Sequence, residues 1–225
     1  MVALRHYLRV LGWLGVAVAA IGLGVQVRLL GGVVGAAVVG ALVAAVTLWL
    51  PRSAHAAFEA GKFGNAARRY WLAGATTWVP SRDRAARLSR AGCAVAAGRF
   101  AAVERLVAPL EVDKLDLGER AVLFNNRAYA LLAGDGDARE ALALADQASA
   151  LRPDVPGIQH TRALALLGVG RTDDALHVLD GMRAGGELAP RLEAARCREL
   201  AAAWEKKGEV AYAADYRRRA EVLAG

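Results

Sequence analysis

Two long apolar runs open the chain, and regularly spaced glycines follow them. The first run extends from Val10 to Val25 and the second from Leu29 to Leu50, and residues 1–50 contain no Asp or Glu. A membrane-spanning helix needs roughly 20 apolar residues. The two runs therefore predict two spanning helices joined by a tight turn at residues 26–28.

Small side chains recur at every fourth position of the second run. They are Gly32, Ala36, Gly40 and Ala44. Helices in lipid associate through close backbone contact, which small residues permit. This transmembrane packing stripe could hold the two spans together, or it could contact another protein.

Five glycines divide the rest of the chain at intervals of 37, 38, 34 and 38 residues. They are Gly61, Gly98, Gly136, Gly170 and Gly208. Five residues after each comes a small or β-branched residue, in order Ala66, Val103, Ala141, Ala175 and Ala213. Such a period is typical of stacked helical hairpins. We expect each glycine to join two antiparallel helices that pack closely.

A second set of small residues precedes the glycines. Four of them lie seven residues before their glycine, at Ala54, Ala91, Ala163 and Ala201. In the third repeat Ala128 lies eight residues before Gly136, which predicts one inserted residue in the loop of residues 134–137. Prolines at Pro80, Pro153 and Pro190 lie near repeat boundaries, where a helix must stop.

This pattern resembles the tetratricopeptide repeat over about residues 51–223. The best match begins with Phe124-Asn125-Asn126-Arg127-Ala128 and ends with Pro153, with small residues between them at Ala141, Ala145 and Ala148. The apolar runs and the resemblance together predict an all-α protein of two domains. Residues 1–50 are expected to form a transmembrane helical hairpin. The resemblance implies that residues 51–225 form an α-solenoid of about five helix pairs, the first continuing out of the membrane across Pro51.

The net charge of +7 is unevenly distributed. Residues 1–50 contribute +3, residues 51–110 contribute +7 and residues 111–225 contribute −3. Basic residues precede the first span and follow the second, whereas Arg28 alone lies in the turn. Because cytoplasmic flanks carry the excess of Lys and Arg, we expect both termini and the repeat domain to be cytoplasmic.

Two alternatives concern this topology. Residues 1–9 with Ala17-Val18-Ala19 resemble a cleaved signal peptide, although the apolar sequence continues for another thirty residues. An inverted orientation would instead place the repeats outside the cytoplasm.

The excess charge after the second span suggests a lipid-facing basic zone. Its residues are Arg52, Arg68, Arg69, Arg84 and Arg87. Each basic residue near an anionic leaflet contributes about 1 kcal/mol. An ordinary solvated face and an acidic protein partner remain alternatives. Nucleic acid is not expected, because the distal half is net negative and lacks interleaved aromatic residues.

Catalytic and metal-binding signatures are missing from the sequence. The four histidines show no metal-ligand spacing, and no phosphate-binding, zinc-protease or nucleophile-elbow motif occurs. Asp135 and Asp137 are too few for a calcium loop. Cys93 and Cys197 have no CxxC spacing and are expected to be reduced, buried thiols. We therefore expect no enzymatic activity, cofactor or metal.

The resemblance further implies a concave partner groove lined by the first helix of each repeat. The predicted groove residues are Leu88, Ser89, Asn125, Asn126, Tyr129, His160 and Arg198. Only Asn126 matches the family's carboxylate-clamp positions, so a clamp of the chaperone type is not expected.

These features predict a membrane-anchored adaptor or scaffold that recruits or organises a protein or peptide partner through its groove. The alternative is a structural or assembly subunit of a larger membrane complex, packing through its transmembrane helices. With inverted topology, an extracytoplasmic assembly factor is a third possibility.

Overall fold

The structure is a computed structural model of the chain, and it describes residues 12–19, 22 and 28–224. Over these residues all regular secondary structure is helical and no strand occurs, which confirms the all-α prediction. The chain divides into two compact units, Met1–Ala97 and Gly98–Gly225. The structural division therefore falls inside the predicted repeat domain rather than after residue 50.

A continuous helical segment carries the second apolar run into the first repeat. Helix α1 spans Arg28–Ala44, a π-helical turn follows at Ala45–Trp49, and α2 spans Leu50–Glu59. Pro51 explains the π turn, because proline donates no hydrogen bond and its ring clashes with the carbonyl four residues earlier. The Leu50 N–H instead bonds to the Ala45 carbonyl, five residues back. The predicted helix across Pro51 is thus confirmed.

One helix in the described part of the chain is long and apolar enough to span a membrane. It comprises the 27 residues Val33–Glu59, and an 18-residue window within it has a mean hydropathy of 2.4. The first predicted span, Val10–Val25, lies largely outside the described residues, although residues 12–19 and 22 are helical. The two-span hairpin therefore stays a prediction.

Two further helices complete unit 1. Helix α3 spans Phe63–Thr76 and α4 spans Pro80–Ala96. Helix α2 packs on α3, and α3 packs on α4. The core between them contains Ala57, Ala66 and Cys93, all buried.

The described part of unit 2 contains seven α-helices and a 3₁₀ turn at Val112–Lys114. The helices are α5 Ala101–Val107, α6 Leu117–Ala133, α7 Ala138–Leu151, α8 Pro156–Gly168, α9 Thr172–Gly181, α10 Pro190–Lys206 and α11 Val210–Ala224. Each helix packs on the next. In addition α6 contacts α8, and α8 contacts α10. The first helices of successive hairpins therefore lie side by side.

The helix starts follow local sequence signals. Pro80 and Pro190 each occupy the first turn of a helix, where a missing N–H costs nothing, whereas Pro153 lies in the loop after α7. Helix α6 begins with a capping box. The Asp116 carboxylate accepts from the Glu119 N–H at 2.7 Å, and the Glu119 carboxylate accepts from the Asp116 N–H at 3.1 Å.

Four of the five predicted turn glycines adopt a left-handed conformation, with φ of 73° at Gly61, 69° at Gly98, 82° at Gly170 and 79° at Gly208. In the third repeat Asp135 adopts this conformation, with φ of 58°, and Gly136 does not. The turn residue thus lies seven positions after Ala128, as in the other repeats. The prediction that Gly136 marks this turn is wrong, because aspartate also tolerates the left-handed region, and the extra residue follows the turn.

The small residues on either side of these turns are buried. Ala54, Ala66, Ala91, Ala128, Ala141, Ala163 and Ala175 are 0% exposed, and Val103, Ala201 and Ala213 are 1%, 4% and 2% exposed. The predicted role of these positions in helix packing is confirmed. Cys93 and Cys197 are buried and form no disulfide, as expected.

Asp135 tests the corrected register. Replacing Asp135 with Gly should raise the free energy of unfolding by up to about 1 kcal/mol, because glycine has no Cβ to oppose a positive φ. Asp135→Ala removes the same exposed carboxylate but keeps the Cβ, so it should be less stable than Asp135→Gly. Thermal unfolding of the detergent-solubilised full chain compares the two. Equal stability of both variants would contradict the assignment.

Candidate partner-binding face of the second unit

Three equivalent positions on α6, α8 and α10 form the candidate site. Asn125, His160 and Arg198 each lie three residues before the buried alanine of their helix, at Ala128, Ala163 and Ala201 respectively. Since α6 contacts α8 and α8 contacts α10, the shared register places the three side chains on one face. We call this surface the polar face.

His160 is the most confined member of the polar face. Its residue is 7% exposed, and its Nε2 atom is buried without a hydrogen-bond partner. Burial, reinforced by the positive charge of Arg198, lowers the pKa of His160 to about 4. The imidazole is therefore neutral near pH 7, and its Nε2 can still form a hydrogen bond.

Asn125 supplies the second unpaired atom of the polar face. Its Oδ1 is buried and accepts no hydrogen bond, although the residue as a whole is partly exposed. A buried polar atom without a partner costs about 1–3 kcal/mol. An unpaired atom at the same register position on two adjacent helices suggests that an external group completes their hydrogen bonding.

Charged groups flank these two residues. Arg198 is exposed and forms no ion pair with a residue that the structure describes. Beside it, burial raises the pKa of Glu199, and Arg198 partly opposes that shift. Tyr129, one position after Ala128, is partly exposed. The polar face thus offers an amide acceptor, a neutral imidazole, a phenol and an unpaired guanidinium.

Three predicted groove residues do not belong to the polar face. Asn126 is 5% exposed, so a partner can reach little of its side chain. Leu88 is 3% exposed in unit 1, so a partner cannot reach its side chain. Ser89, also in unit 1, hydrogen-bonds with the Tyr70 side chain. Unit 2 therefore brings together Asn125, Tyr129, His160 and Arg198 from the predicted set.

The predicted basic zone of unit 1 is partly satisfied by internal contacts. The Arg69 guanidinium donates to the Ser53 carbonyl at 2.7 Å, and that of Arg52 donates to the Leu48 carbonyl at 3.0 Å. Arg87 pairs with Asp83 at 3.2 Å, with both side chains about four-fifths buried. Arg68 is exposed and Arg84 is partly exposed. Arg68 thus differs from Arg52, Arg69 and Arg87 in having no internal contact among the described residues.

The transmembrane packing stripe is uncovered in the described part of the chain. Ala36, Gly40 and Ala44 are exposed, and a Cβ added at Gly40 would meet no atom within 4 Å. The backbone at Gly32 is helical. Whether the first span covers the stripe depends on residues outside the described ranges.

One buried ion pair was not anticipated from the sequence. Arg196 is 4% exposed and donates to both carboxylate oxygens of Glu193 at 2.9 Å, and to the Leu179 carbonyl at 3.1 Å. The pair joins α9 to α10 and holds the pKa of Glu193 below its usual range. The three-residue spacing of Glu193 and Arg196 is visible in the sequence, whereas their burial is not. Within the described residues no group of three metal-ligating side chains comes together.

No family model matches this chain, and no curated protein or solved structure is significantly similar to it. The resemblance to tetratricopeptide repeats therefore stays a prediction based on the residues quoted above.

His160 should make the stability of the protein depend on pH. Because its pKa is about 4 in the folded state and 6.5 when exposed, the unfolded chain takes up the proton first as the pH falls. The stabilisation present above pH 6.5 is lost between pH 6.5 and 4, by roughly 2 kcal/mol on going from pH 7 to pH 5.

His160→Gln removes this titration at similar size. Denaturant unfolding of the full chain in detergent at several pH values gives the comparison. We expect the stability difference between wild type and His160→Gln to shrink as the pH falls. A difference that is constant from pH 7 to pH 5 would show that His160 is not buried in its neutral form.

Proposed function

We propose that this protein is a membrane-anchored helical-repeat adaptor that recruits or organises a protein partner through the polar face. The observation that supports it best is the pair of buried, unpaired atoms, Asn125 Oδ1 and His160 Nε2, at equivalent positions of adjacent helices. Proteins seldom leave such atoms unpaired. A bound peptide has donors and acceptors along its backbone that could pair with both.

Arg198 determines the chemistry of the partner in this proposal. Its exposed guanidinium is suited to a carboxylate, which it can bind in a bidentate manner. The partner would then be an acidic segment that contacts Arg198 and lies across His160 and Asn125.

Membrane anchorage would assist binding at the polar face even where its intrinsic affinity is weak. The apolar helix Val33–Glu59 supports insertion, and the basic flanks support cytoplasmic termini. A tethered binding site experiences a raised effective concentration of any partner at the same membrane. The adaptor can therefore enrich its partner at the bilayer without a high intrinsic affinity.

Photocrosslinking tests the polar face. A photoreactive amino acid at Tyr129 should crosslink a discrete protein in native membranes. Arg198→Glu should reduce the yield about tenfold or more, since reversal of a central charge costs at least about 1.4 kcal/mol. Arg218→Glu on α11 is the matched control, because its side chain is exposed and only weakly paired with Asp215 at 3.4 Å. Equal yields for the two variants would rule out the polar face as the binding site.

The second candidate function is a structural or assembly subunit of a larger membrane complex. The uncovered stripe at Ala36, Gly40 and Ala44 favours it, because small exposed residues allow another helix to approach closely.

Replacing Gly40 with Leu separates the two candidates. If the stripe binds another subunit, Gly40→Leu should prevent co-purification of that subunit in mild detergent, while Arg198→Glu leaves it intact. Val38→Leu is the control, since Val38 is 53% exposed and lies off the stripe. Co-purification that survives Gly40→Leu but is lost in Arg198→Glu would favour the adaptor.

A further inference from the structure

Tryptophan is concentrated in unit 1, which contains the apolar helix. Four of the five tryptophans, Trp13, Trp49, Trp71 and Trp78, belong to unit 1. Three of these are strongly exposed for so large a side chain: Trp49 by 62%, Trp71 by 51% and Trp78 by 39%. Leu72, beside Trp71, is 38% exposed. We call Trp49, Trp71, Leu72 and Trp78 the aromatic platform.

Helix α3 returns toward the apolar end of the long helix. The hydrogen bond from Arg69 to the Ser53 carbonyl, together with the Ala57–Ala66 core, shows that α3 runs antiparallel to α2. Because both helices rise by about 1.5 Å per residue, this register places Leu72 near the level of Leu50. Consistent with that placement, α3 contacts the π-helical turn Ala45–Trp49.

The loop after α3 lies close to the N-terminal apolar run. The Trp13 indole N–H donates to the Thr76 carbonyl at 2.6 Å. The Trp13 and Trp78 rings meet edge to face, with centroids 5.5 Å apart. The end of α3 and the loop after it thus contact the first apolar run at Trp13, while α3 contacts the π-helical turn that ends at Trp49.

The exposed residues of α3 change from basic to aromatic toward the apolar end of the long helix, which is the order that a bilayer interface favours. Arg68 is exposed, and it lies three residues before Trp71, or about 4.5 Å farther from the apolar end. Helix α3 contains no Asp or Glu. Tryptophan favours the headgroup level, and arginine just above it is attracted to lipid phosphate.

We propose that the aromatic platform is a second membrane-contact surface, seated in the headgroup region of the bilayer that holds the apolar residues 33–50 of the long helix. Trp71, Leu72 and Trp78 enter the interface, and Arg68 contacts the phosphates. This inference rests on the proposed membrane anchorage. Its consequence is that the first helical hairpin is fixed against the bilayer at two places instead of standing on a single helix.

Fluorine NMR of the wild-type full chain tests the platform. Fluorotryptophan replaces all five tryptophans, and single Trp→Phe variants assign the signals. The protein is placed in bicelles of phosphatidylcholine and phosphatidylglycerol. One sample contains a lipid with a nitroxide near its headgroup, and another contains a water-soluble gadolinium chelate. Trp204, which packs against Tyr212 in unit 2, is the internal reference for a tryptophan covered by protein.

We expect the nitroxide lipid to attenuate the fluorine signals of Trp71 and Trp78 as strongly as that of Trp49. The water-soluble chelate should attenuate the Trp71 and Trp78 signals less than the nitroxide lipid does. Attenuation of Trp49 but not of Trp71 and Trp78 would overturn the platform and leave the anchor intact. If the lipid fails to attenuate Trp49 as well, the proposed anchorage itself is wrong. If both agents spare Trp71 and Trp78, a protein surface covers the platform, and the inference is likewise overturned.

Discussion

Close approach of helix backbones at buried alanines is the constraint on which the rest of this structure depends. Ala128 and Ala141 in one hairpin, and Ala163 and Ala175 in the next, are wholly removed from solvent. A larger side chain at such a position would force the helices apart, at a typical cost of 1–3 kcal/mol. The left-handed turn between the helices sets the distance of each alanine from the end of its helix. Packing and turn together determine which residues face inward and which remain on the surface.

The polar face is a consequence of that constraint. Three positions before the alanine, the first helices carry Asn125 and His160, whose Oδ1 and Nε2 atoms are buried without a hydrogen-bond partner. Their unpaired atoms reduce the stability of the fold. By contrast, the buried Arg196 guanidinium is fully engaged, because it pairs with Glu193 and donates to the Leu179 carbonyl.

The proposed membrane anchorage would place the first hairpin next to a different solvent, the lipid bilayer. Pro51 interrupts the helical hydrogen bonds without ending the helix, so the apolar segment continues rigidly into the first hairpin. The antiparallel return of α3 then brings Trp71 back to the level where the apolar segment ends. A residue that would be an unfavourable exposed aromatic in water becomes suited to its surroundings at a bilayer interface.

The sequence by itself determined the all-helical class, the hairpin period, the buried small residues and the helix that crosses Pro51, because these follow from local rules of periodicity, propensity and proline geometry. It located four turn residues, and it missed Asp135 because two residue types can adopt the same backbone conformation. Only the tertiary structure decided that Leu88 is buried, that His160 has an unpaired nitrogen, and that α3 returns to the apolar end. These properties depend on which neighbour covers a given face, and no local pattern in the chain encodes that neighbour.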